Sequence, residues 1–209
     1  MGRREEQKKH RRTLMLEAAH RLFERQGYDR TTFDQIAAAA GVGVATVYKY
    51  FDSKEGIVVA LLRPDLQRIL SAGQQVIDRL GRDPARAMVQ LLAAYASLSG
   101  GNWSSRELLR LTVFPGLDHD GLISAFVREA DAATQAQISE LLRRQRAAGL
   151  LNPRVPIADA AAVIFALLNQ QFGEFLYGKR ISHRRMLAQL ARRARLVFDD
   201  WRAGPSRGG

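Results

Sequence analysis

The sequence predicts an all-α chain of about nine helices, with a short helix-turn-helix unit followed by a larger helical domain. Three observations carry this expectation. Apolar residues recur at three- and four-residue spacing along the chain, and no alternating strand pattern interrupts them. Cap residues and glycines punctuate the apolar segments where helices should begin and end. The 209 residues, 46% of them apolar, far exceed the roughly 50 to 60 that a lone helix-turn-helix needs.

The elements follow in order. Residues 1–12 form a basic extension. Met15, Ala18, Ala19, Leu22 and Phe23 make the first apolar stripe, stopped by Gly27. Thr32-x-x-Gln35 has the spacing of a capping box and opens a short helix to Ala40, which Gly41 breaks. A second short helix spans about Val44 to Tyr50. Ser53 caps a longer segment to about Leu80, which Pro64 should kink or interrupt because it has no backbone N–H. Asp83-Pro84 places a cap before proline at a first helical position, starting a helix that ends near Gly100-Gly101. Ser104-x-x-Glu107 is another capping box, and its helix closes at Pro115-Gly116. Leu122 to Ala148 reads as one long amphipathic helix with Gly149 as its stop. Ile157–Tyr177 is strongly apolar, Arg184–Trp201 closes the set, and Ala203–Gly209 has the composition of a disordered tail.

Charge is unevenly placed. The net +11 divides into +4 over residues 1–54, 0 over 55–178 and +7 over 179–209, and 27 of the 32 cations are Arg. Basic ends around a neutral middle point to an anionic polymer, for which the planar guanidinium is well suited. With no Cys, disulfides, thiol catalysis and Cys-ligated zinc are excluded. The longest apolar run, Ala160–Leu168, is far short of the roughly 20 residues a membrane span requires. Glu17, His20 and Arg21 interrupt any signal-peptide core. The expectation is a cytoplasmic protein with no membrane partner.

The informative stretch is Phe33–Tyr50, FDQIAAAAGVGVATVYKY. Two short helices crossing steeply need a small residue at their closest approach, supplied by Ala37, and a turn residue tolerant of positive φ, supplied by Gly41. Ile36, Ala40, Val42, Val47 and Tyr50 sit where the pair must pack on the preceding helix. An ordinary helical hairpin with a glycine turn has the same spacing. The segment Thr46-Val47-Tyr48-Lys49-Tyr50-Phe51-x-x-Lys54 adds hydroxyl and ammonium groups on and after the second helix, the usual partners of DNA phosphates.

Residues 13–55 resemble the DNA-binding domain of TetR-family transcriptional regulators. The matching features are Phe23…Gly27-Tyr28, Thr31-Thr32-Phe33-x-x-Ile36-Ala37-x-x-Ala40-Gly41-Val42, and Tyr48-x-Tyr50-Phe51-x-x-Lys54-Glu55. The resemblance implies a homodimeric, sequence-specific DNA-binding regulator, a ligand-released repressor on a palindromic operator, with a second domain over residues 56–202 for effector binding and dimerisation. Carried over, Thr32, Tyr48, Tyr50 and Lys54 would grip phosphates, and Thr46 and Lys49 would lie near base edges. Two positions depart from the family pattern: Gly43 stands where Ser is usual, and Val44 where a basic residue is frequent. Glycine caps a helix less well than serine, and Val44 offers a thymine methyl contact in place of a phosphate contact. The basic extension 1–12 reads equally as an arm laid on the backbone or minor groove and as a solubilising tail.

For the rest of the chain the resemblance implies an effector cavity and a dimer face. Tyr95, Trp103, Phe114, Phe126, Phe165 and Phe172 lie on the segments that would surround a cavity, and Asn169, Gln170 and Gln171 place amides within an apolar helix. An apolar or aromatic small-molecule effector fits the scarcity of charge there. The helices at about 157–177 and 184–201 are the dimer candidates, with Ala160, Ala161, Ala162 and Ala166 permitting close approach. No cofactor and no metal site are expected. Asp118-His119-Asp120-Gly121 reads as a turn with an Asp cap, and no His-Glu-x-x-His, phosphate-binding loop or dinucleotide fingerprint occurs. A sequence-independent DNA-packaging protein and a small helical enzyme are the alternatives. The first leaves the large neutral domain unexplained, and the second has no catalytic constellation behind it.

Overall fold

The computed structural model describes residues 2–97, 106–113, 121–177 and 182–202. The expected Ser104 cap, the Pro115-Gly116 stop, Trp103, Phe114, Asp118–Asp120 and the tail lie outside these residues. Within them the chain forms nine α-helices: α1 Arg3–Gln26, α2 Phe33–Ala40, α3 Val44–Tyr50, α4 Lys54–Asp78, α5 Pro84–Ala96, α6 Arg106–Val113, α7 Leu122–Ala147, α8 Ile157–Tyr177 and α9 His183–Trp201. One isolated antiparallel bridge, Leu151 with Arg202, is the sole extended pairing among the described residues.

The helix ends follow their local chemistry. Thr32 Oγ1 accepts from the Gln35 N–H at 3.3 Å while Gln35 Oε1 accepts from the Thr32 N–H at 3.0 Å, so the capping box is complete. Asp83 accepts from the N–H groups of Ala85 and Arg86 ahead of Pro84. Ser53 Oγ accepts from the Gly56 N–H at 3.1 Å, opening α4. Gly149, at φ 71°, ends α7 in the left-handed conformation that glycine adopts without a Cβ penalty.

Two elements differ from the sequence reading. First, α1 begins at Arg3, so the basic extension is helical. Residues 3–12 contain neither Gly nor Pro, and Glu5 and Glu6 precede Lys8 and Lys9 at helical pair spacings, which favours continuation. Second, Pro64 lies inside α4 without interrupting it. Proline there deprives the Ala60 carbonyl of its helical donor, while Leu61, Leu62, Leu66 and Ile69 on the same helix are at most 4% exposed. Burial of that apolar face offsets the lost bond.

The chain divides into two compact units. The first comprises residues 2–65 with the described part of 101–127: α1–α3, the beginning of α4, α6 and the first residues of α7. Its core holds Met15, Ala18, Phe23, Ile36, Val47, Ile57 and Val58, all fully buried. The second comprises residues 66–100 and 128–209 in their described parts, and its core holds Ile77, Met88, Leu91, Ile138, Leu141, Ile164, Ala194 and Phe198. Among the described residues no helix is long and apolar enough to cross a membrane.

Candidate nucleic-acid interface

The helix-turn-helix in the first unit is held rigidly. Ile36 and Ala37 of α2 are buried, with Ala37 at 3% exposure where α2 meets its neighbours. Gly41 takes φ 66° and ψ 33°, and the Val42 N–H reaches back to the Ala37 carbonyl at 3.0 Å. A Cβ at this φ costs roughly 1 kcal/mol, so the turn depends on glycine. Val47 is the one buried residue of α3, which fixes the rotation of that helix. With Val47 inward, Val44, Ala45, Tyr48 and Lys49 are left exposed.

Each candidate takes a definite place on this unit. Thr32 is exposed, and its hydroxyl already serves the α2 cap. Gly43 is the N-cap of α3 in extended conformation, with no side chain to accept the free amides. Thr46 and Tyr50 are half-buried, so their hydroxyls lie at the edges of the exposed face. Tyr48, 59% exposed, lays its ring against Phe33 at 4.6 Å between centroids, which restrains the side chain while its hydroxyl meets solvent.

Lys54 has a task within the protein. Its ammonium donates to the carbonyls of Tyr28 at 3.0 Å and Asp29 at 3.3 Å, and sits 4.5 Å from the Tyr28 ring centroid. Two of its three donors thus hold the α1–α2 turn. Burial, with the nearby Glu55 and Asp29 carboxylates, raises the Tyr28 phenol above its ordinary range, so the ring beneath the cation stays neutral.

Sequence reasoning missed three supporting side chains. Gln26 donates to the Arg30 carbonyl at 3.0 Å and to Gln35 Oε1 at 2.8 Å, tying the end of α1 to the capping box of α2. Arg12 places its guanidinium 5.4 Å from the Phe51 ring centroid, beside the C-cap of α3. Glu55 accepts from the Leu122 N–H at 2.6 Å and so caps α7. The Thr32–Gln35 spacing hinted at the first. The other two join positions 39 and 67 residues apart, for which no local signal exists.

The effector candidates differ in their local surroundings. Tyr95 is 3% exposed and donates to Gln137 Oε1 at 2.8 Å, while the Gln137 amide donates to the Leu70 carbonyl at 2.9 Å. Burial pushes the Tyr95 phenol well above its usual range. Phe126, in the first unit, lies under the Arg63 guanidinium at 5.4 Å. Phe165 and Phe172 are half-buried, and Phe172 packs near Phe175. Asn169 and Gln170 are exposed, whereas Gln171 is 1% exposed and bonds to Glu174, Gln189 and Arg193. Among the described residues, no group of three His, Asp or Glu could hold a metal ion.

This geometry agrees with known proteins. Residues 15–61 match the family model described as bacterial regulatory proteins, tetR family. The chain is 24% identical over 161 residues to the HTH-type transcriptional regulator EthR of Mycolicibacterium smegmatis, covering 77% of this chain and 72% of that one. It is 27% identical over 147 residues to the HTH-type transcriptional repressor Rv1474c of Mycobacterium tuberculosis, covering 70% and 72%. Among solved structures, AibR in complex with isovaleryl coenzyme A and operator DNA shares the fold, with a TM-score of 0.61 at 18% identity over 87% of this chain and 96% of that one.

Proposed function

We propose that the chain is a TetR-family helix-turn-helix transcriptional regulator that acts as a homodimeric repressor on a palindromic operator, released by an apolar or aromatic small molecule. The observation that carries this reading is α3: buried through Val47 alone, it turns Val44, Ala45, Tyr48 and Lys49 outward. A helix so held can enter a major groove without reordering.

Within that reading Thr32, Tyr48 and Tyr50 contact phosphates, which set register and carry no sequence information. Thr46, Lys49 and Val44 lie at base edges, where Lys49 favours guanine acceptors and Val44 a thymine methyl. Gly43 lets the backbone of the α3 N-terminus approach the duplex closely. Lys54 acts first through the turn it holds, with one donor left for a phosphate.

The dimer is proposed through α8 and α9. Val163 and Tyr177 of α8 and Leu196 of α9 are 45%, 52% and 68% exposed, and Ala162 and Ala166 lie exposed beside them. Two recognition helices bind half-sites about 34–36 Å apart, one turn of DNA, only if the dimer holds them at that separation. An effector favouring another separation shifts the population off the operator. Tyr95, Phe165 and Phe172 are the effector contacts proposed from the described residues, and Pro64 in α4 is the proposed hinge.

The test is selection of bound duplexes from a random pool with the purified chain, at about 0.15 M ionic strength. An enriched near-palindrome is the expected result. Tight, salt-sensitive binding with no enrichment would replace this reading with sequence-independent packaging, and an absence of binding would remove the DNA role.

A further inference from the structure

We propose that the N-terminal part of α1 is a second DNA-contacting surface, on which Arg4, Lys8, Arg11 and Arg12 grip phosphates beside those reached by α3. This deepens the DNA-binding reading above and rests on it.

The argument begins with register. Positions 4, 8 and 11 continue backwards, at spacings of four and three, the stripe 15, 18, 22 along the same helix. Met15, Ala18 and Leu22 on that stripe are at most 7% exposed and form the face of α1 that packs into the first unit. Beyond the core, the same face carries Arg4, Lys8 and Arg11, all exposed. Arg12 lies next to this stripe with its guanidinium over Phe51, so the basic face begins beside the C-terminal end of α3. Apart from that ring contact, these four cations make no ion pair or hydrogen bond among the described residues. Glu5 stands three residues before Lys8 but makes no ion pair with it among the described residues, and residues 3–12 carry six cations against two carboxylates, so the segment keeps a net positive charge.

Size and chemistry select the partner. From Arg4 to Arg12 the helix rises about 12 Å, while one DNA strand presents a phosphate for roughly every 3.4 Å of axis. The stripe therefore reaches three to four phosphates. Residues 3–12 hold no apolar side chain, so this helix has nothing to bury in a lipid interface.

The test compares two charge-matched double variants of the full chain, Lys8→Gln/Arg11→Gln on the stripe and Arg3→Gln/Lys9→Gln off it. Binding to the enriched duplex and to a random duplex is titrated against salt, with helicity checked by circular dichroism. The stripe variant should lose about 1.8 from the log–log salt slope per protomer on both duplexes, since each phosphate contact contributes about 0.9. The off-stripe variant should lose less than half of that. Equal losses in the two variants, or no loss in either, overturn the surface while wild-type binding leaves the DNA-binding reading standing. Failure of the wild-type chain to bind any duplex removes both. Binding of wild-type protein to vesicles of anionic phospholipid, lost only in the stripe variant while its DNA slope is unchanged, assigns the stripe to a membrane surface and also overturns it.

Discussion

Lys54 offers a decisive perturbation, because one side chain serves two separable tasks. Lys54→Met keeps the apolar stem against the Tyr28 ring and deletes the ammonium with its bonds to the Tyr28 and Asp29 carbonyls, at 3.0 and 3.3 Å. A hydrogen bond from a charged donor contributes about 1.5–3 kcal/mol when buried, and a partly exposed cation–π contact about 0.5–1 kcal/mol. The side chain is only half-buried, and the released carbonyls can turn to water, so the net loss is about 1–2 kcal/mol. For a chain of this size that is a fall of about 2–8 °C in Tm. The assay pairs thermal unfolding, at fixed protein concentration, with salt-titrated binding to the enriched duplex. We expect Tm to fall and the salt slope to hold. An unchanged Tm with a slope shallower by about 0.9 per protomer would refute the reasoning and make Lys54 a phosphate contact first.

Four further outcomes are expected. Gly73→Ala puts a methyl 2.5 Å from Gln137 Oε1 and 3.0 Å from the Tyr95 ring; overpacking and a displaced Tyr95–Gln137 bond outweigh the roughly 1 kcal/mol helix gain, for a net loss of about 1–3 kcal/mol. The urea midpoint should fall at unchanged slope, and by less in a Gln137→Ala background; a gain in stability would contradict the close packing. Gly43→Ser meets only Thr46 Oγ1 at 4.0 Å and supplies the missing cap, so Tm should rise by the equivalent of about 0.5–1 kcal/mol, and a fall would mean the α3 N-terminus is already satisfied. Tyr48→Phe keeps the ring on Phe33 and should weaken all duplexes alike, whereas Thr46→Ala should relax preference at one base position; the reverse pattern would overturn this sorting of contacts. Bonds from Gln170 first, then Arg193 and Gln171, hold the Glu174 carboxyl below the usual glutamate range. Its stabilising contribution is thus fully present above about pH 4.3 and lost as pH falls through the lower folded value; Glu174→Gln should flatten the acid limb of the stability curve, and an identical limb would show that the pair contributes nothing.

Much of the fold is legible locally. Thr32 and Gln35 form the capping box that their spacing announces, because such a box needs only four consecutive residues. Gly41 takes the left-handed turn for an equally local reason. Asp83-Pro84 and Gly149 likewise mark ends that depend on one or two side chains. Two expectations met competing physics. Proline at 64 signals a kink or an interruption, and of these the interruption does not occur, α4 running unbroken through buried leucines on either side. The cations of residues 3–12 suggest a loose arm, yet a segment without Gly or Pro continues the helix that follows.

By itself, then, the sequence determined the all-α class, the helix ends that carry a local cap or glycine signal, such as Thr32, Asp83 and Gly149, and the helix-turn-helix, since each follows from periodicity and capping within a few residues. Only the tertiary structure decided which polar groups are already engaged. Lys54 reads as a free cation until Tyr28, 26 residues away, is brought beneath it. Gln171, indistinguishable from Asn169 and Gln170 in sequence, becomes the buried amide because α9 packs against that side of α8 and supplies Gln189 and Arg193. Burial and hydrogen-bond partnership are set by chain segments distant in sequence, and a local pattern holds no record of them.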